Sequence, residues 1–199
     1  MYDYPSFLEP EYAAITTYAS SECKPGLKVL CDGDPCVVVS SEFVKPGKGQ
    51  AFVRMRLRNL KSGRLLDRTF RSNEGMTAAD VSELELQFLY KDEQLWHFMD
   101  PESYEQHAAA VEETVARWLK EGAICSVTLW NGQVISVAPP NIVQLRIAET
   151  GPGVRGDTES GGNKEAVLET GVRLRVPLFL EEGEVIRVDT RTGEYIGRE

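Results

Sequence analysis

Residues 52–58 read Phe-Val-Arg-Met-Arg-Leu-Arg, and no other stretch narrows the possible folds so far. In an extended strand Val53, Met55 and Leu57 share one face, and Arg54, Arg56 and Arg58 share the other. Such a strand has a core on one side and water or a polyanion on the other. The surrounding sequence follows the same pattern. Leu27 and Val29 are separated from Val37, Val38 and Val39 by the turn Asp32-Gly33-Asp34-Pro35. Lys45-Pro46-Gly47-Lys48-Gly49-Gln50 reads as a hairpin tip, in which Pro46 sets φ and two glycines flank Lys48. Lys61-Ser62-Gly63 turns the chain into Leu65–Phe70, with Arg64, Arg68 and Arg71 adding positive charge. Residues 24–80 are expected to form a small β-barrel of a size that folds alone. Residues 1–23 lack periodicity and are expected to be a mobile or loosely docked N-terminal extension.

Further along, Glu83–Tyr90 alternates, Asp92-Glu93 turns, and Leu95–Met99 returns. The period then changes. Ala108, Val111, Val115, Trp118 and Leu119 follow helical spacing and predict an amphipathic helix ending near Gly122. Ile124–Trp130 and Val134–Val137 flank Asn131-Gly132, a strong two-residue hairpin signal, and Pro139-Pro140 ends the pair. Two strands, a helix and two strands fit a Greek-key barrel of the OB type over residues 81–145. A polar loop with five glycines runs from Gly151 to Lys164. Val172–Leu180, Val185–Val188 and Tyr195-Ile196 then give a second OB-like barrel over residues 146–199. The expected fold class is all-β, with one short helix in the middle domain.

The chain is acidic overall, with a formal charge of -9, yet the charge is uneven. Residues 24–72 carry 11 basic and 4 acidic side chains, whereas residues 83–145 carry 3 basic and 10 acidic ones. One basic segment in an acidic chain points to one end that meets phosphate, while the rest avoids indiscriminate nucleic-acid binding. No apolar run approaches the ~20 residues of a membrane span, so no membrane partner is expected. No basic-then-apolar leader opens the sequence, and a cytoplasmic location is expected.

Residues that could carry catalysis are sparse. His97 and His107 lie near no nucleophile signature, and Pro46-Gly47-Lys48-Gly49 falls short of a phosphate-binding P-loop. Cys31 and Cys36 have no second pair to complete a zinc site, and Cys23, Cys31, Cys36 and Cys125 read as reduced, partly buried thiols. Asp32 and Asp34 lack the order of a calcium loop. Arg155-Gly156-Asp157 reads as a loop of complementary charges. No catalytic residue, no metal site and no bound cofactor are expected.

Three stretches together carry a family likeness. They are Glu42–Phe52 around Lys48, Gly153-Val154-Arg155-Gly156-Asp157-Thr158, and Lys164-x-Ala166 with Gly171, Leu174-x-Val176-Pro177, Leu180 and Gly183. Trp130-Asn131-Gly132, Pro139-Pro140-Asn141 and Val188–Tyr195 add to it. Over residues 24–198 the chain resembles bacterial elongation factor P. The resemblance implies three barrels in an L-shaped arrangement, the first SH3-like or KOW-like and the others OB-like. It implies a monomer whose partners are the 70S ribosome, the peptidyl-tRNA and a lysine-modifying ligase. It implies binding between the peptidyl and exit sites and relief of stalling at consecutive prolines. Lys48 would be the modified residue of the tip formed with Pro46, Gly47, Gly49 and Gln50. Gln50 after Lys48-Gly49 resembles members that receive a β-lysyl group, so a covalent lysine modification replaces any cofactor. Lys45, Arg54, Arg56, Arg58, Arg155, Gly156 and Asp157 are the RNA-contact candidates, and the 153–158 loop would lie near the codon–anticodon end. The alternatives are a paralogue with another stalling specificity or a general RNA-binding OB protein. The net acidity of residues 83–145 disfavours the latter.

Overall fold

A computed structural model describes residues 16–152 and 162–199. They form two compact units, one ending at Asp80 and the other beginning at Val81.

The first unit contains strands β1 (Thr17–Ala19), β2 (Lys28–Cys31), β3 (Asp34–Val44), β4 (Phe52–Asn59), β5 (Leu65–Arg71) and β6 (Gly75–Thr77). Strands β2 to β5 make an antiparallel sheet in sequence order, and β1 pairs with β6. The alternation of β4 decides its two faces. Val53, Met55 and Leu57 are buried with Val29, Cys36 and Val38, while Arg54, Arg56 and Arg58 are exposed. Strand β2 covers β3 only from Asp34 to Val37, so the outer half of β3 runs on with β4 as its strand partner.

The expected extension over 1–23 needs correction for its last residues. Thr17 pairs with Thr77, and the Ala78 amide donates to the Thr16 carbonyl at 2.8 Å. Ser20 and Cys23 are buried, Cys23 within the core of this unit. A three-residue strand has no period to read, and its partner lies far away in sequence, so nothing local reveals it.

The second unit holds two five-stranded sheets. The first contains β7 (Val81–Lys91), β8 (Trp96–Met99), β9 (Gln106–Ala109), β10 (Ile124–Trp130) and β11 (Gln133–Ala138), with helix α1 (Glu113–Ala116) between β9 and β10. Its order is β11-β10-β7-β8-β9, and β11 lies back against β9. The second contains β12 (Ile142–Thr150), β13 (Asn163–Leu168), β14 (Arg173–Pro177), β15 (Val185–Asp189) and β16 (Glu194–Arg198). Its order is β14-β13-β12-β15-β16, with β14 beside β16. The expected domain boundary at 145/146 falls inside β12, a strand that belongs wholly to this last sheet.

The predicted helix is present but much shorter. Ala108 lies in β9 opposite His97, and only Glu113–Ala116 is helical. The helical spacing arises because these apolar residues serve two cores. Val111, Val115 and Leu119 pack into the core around Phe88 and Phe98. Trp118, 2 % exposed, turns instead into the core of the last barrel, among Val143, Leu145 and Val188. Lys120 Nζ reaches Glu169 of that barrel at 2.8 Å, so the two barrels share side chains.

Candidate functional site

The candidate site is the hairpin arm made by the far ends of β3 and β4. Past a bulge between Val38 and Ser40, the register runs Ser40↔Arg56, Glu42↔Arg54 and Val44↔Phe52. Alternation places Arg54, Arg56 and Phe52 on the outer face, opposite the buried Val53 and Met55. Residues 45–51 connect the strands as an exposed turn, and Lys48 stands at its head. Gly49 has φ +114°, a conformation that side-chain-bearing residues rarely adopt. Gly47 has no positive φ, and a Cβ there would meet nothing within 4 Å. The turn therefore requires glycine at 49 for its backbone, whereas at 47 the requirement is at most for a small profile.

The structure brings Lys45, Pro46, Gly47, Lys48, Gly49 and Gln50 to one tip, and Arg54, Arg56 and Arg58 to one strand face. The three arginines differ in what they touch. Arg56 Nε donates to Asp67 Oδ1 on β5 at 3.1 Å, so its charge is matched. The Arg54 guanidinium lies over the Phe52 ring, 5.5 Å from its centroid. Arg58, Lys45 and Lys48 have no ion pair among the described residues. On β5, opposite Met55, Arg68 pairs with Asp32 at 3.1 Å. A shallow depression of about 500 Å³ runs along this face, lined by Ser40, Glu42, Arg54, Arg56, Asp67 and Thr69. The sequence analysis assigns no contact role to Phe52 or Asp67, and reads Asp32 only as part of a turn. The alternation of β4 places Phe52 on the arginine face, but the carboxylate pairings depend on strand register. Arg155, Gly156 and Asp157 lie outside the described residues.

The other sequence candidates have structural roles. Asp34 accepts from Lys61 Nζ at 2.8 Å and from Asn59 Nδ2 at 3.0 Å; these bonds, the Lys61 one foremost, hold its carboxyl below the usual range. All four cysteines are buried and free. Burial pushes the Cys36 and Cys125 thiols up to about 11. His97 Nε2 lies 2.7 Å from Asp92 Oδ2, and its ring stacks on Tyr90. That contact, with the Leu95 and Gln94 amides, pulls Asp92 down to about 2. Among the described residues no group of three metal-ligating side chains gathers. No described helix is long and apolar enough to cross a membrane.

An exposed cation on a glycine-shaped turn, backed by a basic strand face, is a device for touching a polyanion at a fixed depth. Family models match the chain in three successive stretches. Residues 19–76 match the elongation factor P KOW-like domain, residues 81–137 its OB domain, and residues 143–198 its C-terminal domain. Among solved structures, the chain is similar to eukaryotic translation initiation factor 5A from Methanococcus jannaschii. The match has 21% identity and a TM-score of 0.50 over 63% of this chain and 95% of that one. It is also similar to a translation initiation factor eIF-5A family protein from Naegleria fowleri, at 18% identity and a TM-score of 0.51. That match covers 62% of this chain and 98% of the other. At these identities the structural likeness speaks for the fold, and the three domain matches speak for the family.

Proposed function

This chain belongs to the elongation factor P family, a family of translation elongation factors, and we propose from that premise that it works on the stalled ribosome. It binds the 70S particle between the peptidyl and exit sites, as a cytoplasmic monomer beside the peptidyl-tRNA. There it promotes peptide-bond formation at consecutive prolines. The observation that carries this reading is Lys48, exposed at the head of the β3–β4 arm on a turn shaped by Gly49.

In this reading the first barrel faces the acceptor stem, where phosphates are dense and Lys45 and Arg58, which have no ion pair among the described residues, find partners. Lys48 reaches toward the CCA end and hydrogen-bonds its backbone oxygens without reading bases. Proline is a poor nucleophile, and prolyl chains adopt unproductive geometries. Holding the CCA end in a reactive alignment lowers the barrier without any acid or base from the protein. Each ~1.4 kcal/mol of alignment gained multiplies the rate tenfold. A ligase that acylates Lys48 Nζ with a β-lysyl group turns that ammonium into a neutral amide, lengthens the arm and carries the positive charge further out on the added amines. The open space around Gly47 leaves the approach to that amine uncrowded. Arg155, Gly156 and Asp157 serve the codon–anticodon end.

The test is translation of a reporter with consecutive prolines in a purified system lacking this factor. Native-source protein restores synthesis, and Lys48→Ala does not. If both proteins bind ribosomes and neither restores synthesis, the chain acts on another stalling substrate and the polyproline reading fails.

A further inference from the structure

We propose that Phe179 and Arg198 form a stacking shelf for one unpaired RNA base on the surface of the last barrel. The inference rests on the ribosome-binding reading and adds to it a contact far along the chain from the Lys48 tip. Phe179 follows β14 and is 60% exposed, although large aromatic side chains carry some of the largest burial gains. The Arg198 guanidinium lies over its ring, 4.7 Å from the centroid. Arg198 also pairs with Glu184 at 3.3 Å. Ile196, two residues earlier on β16, is 46% exposed and extends the surface. Strands β14 and β16 lie side by side where this sheet closes, which brings the turn holding Phe179 beside Arg198.

A ring capped on one face by a guanidinium leaves its other face to a planar π-system. That pairing of aromatic face and arginine is how single-stranded RNA is held without sequence preference. Among the described residues the other cation-covered rings do not offer it, since Phe52 and Trp96 are half-buried and Trp118 is buried. Tyr90, also exposed, already stacks on His97. A protein partner would want a broad apolar patch, whereas among the described residues the site offers Phe179 and Ile196.

Three variants and one probe test this: Phe179→Ala, Phe179→Leu, Phe179→Trp, and a photo-crosslinking phenylalanine analogue at position 179. Equilibrium binding to purified 70S ribosomes and melting temperature are read for each variant. Loss of one stacking contact weakens binding roughly tenfold. Alanine and leucine are expected to show that loss with unchanged melting, tryptophan to bind like the unaltered chain, and the probe to crosslink to RNA. Leucine binding as well as phenylalanine, or crosslinks confined to ribosomal protein, overturns the shelf. Failure of the unaltered chain to bind ribosomes instead brings down the functional reading, and the shelf with it.

Discussion

Trp118 joins two barrels, and removing it tests how. The side chain leaves the turn after α1 and is buried among Val143, Leu145 and Val188 of the neighbouring barrel, with 2 % of its surface exposed. Beside it the Lys120–Glu169 pair spans the same junction at 2.8 Å, with side-chain exposures of 52% and 30%. The two contacts differ in magnitude. Truncating a buried Trp to Ala costs about 3–5 kcal/mol, because transfer energy and cavity are both lost. A solvent-screened ion pair contributes about 1 kcal/mol or less. In a cooperative unit of this size, about 3–4 °C of melting temperature accompanies each kcal/mol. Trp118→Ala is therefore expected to lower the main calorimetric transition by roughly 10–20 °C. Lys120→Ala is expected to lower it by about 3 °C. Differential scanning calorimetry on the full chain measures both. Equal shifts, or a Trp118→Ala shift of only a degree or two, would refute the claim that apolar burial fastens the two barrels.

Three further outcomes are expected. Gly49→Ala, which forces a side chain onto φ +114°, costs about 1–3 kcal/mol of local strain and abolishes reporter rescue, whereas Gly47→Ala is tolerated. Equal damage at both positions would make tip bulk, not backbone shape, the reason for the glycines. Arg58→Ala lowers the salt slope of ribosome binding by about 1, and Arg56→Ala, whose charge Asp67 already matches, lowers it less; the reverse order would sink the pairing argument. Asp92 and Asp189 both sit near 2, well below the ordinary 3.8, through bonds from His97 and Arg191 respectively. A depressed carboxyl stabilises the fold above its unfolded value, and this contribution is lost as pH falls from about 3.8 through about 2. Urea midpoints in that window are expected to fall less steeply for Asp92→Asn and Asp189→Asn than for the unaltered chain.

The arm was legible because both of its signals are local. The alternation of Val53, Met55 and Leu57 with arginines fixes a two-faced strand, and Pro46 to Gln50 spells a turn. What escaped depends on partners distant in sequence. Strand β1 exists only because Gly75–Thr77 comes to meet it. Trp118 reads as part of one apolar helical face, yet it serves a different core from Val115, and no spacing rule distinguishes the two. The same holds for the arginine face. Its direction follows from period two, but the neutralisation of Arg56 by Asp67 depends on the register between β4 and β5. The expected boundary at 145/146 cuts β12 because the alternation of that strand does not say which sheet it joins; its pairing with β15, some forty residues on, does.

The buried thiols have a practical consequence for labelling chemistry. A thiol at about 11, as for Cys36 and Cys125, is ionised in roughly one molecule in ten thousand at neutral pH, and it is sheltered as well. Burial raises Cys23 and Cys31 too. A cysteine placed at the tip by Lys48→Cys would be exposed and would outcompete all four for an alkylating reagent without their removal. Haloalkylamines of graded length would then build a series of amine-bearing arms on one unchanged protein. The reach required of the tip becomes a distance that a chemist can set, one methylene at a time.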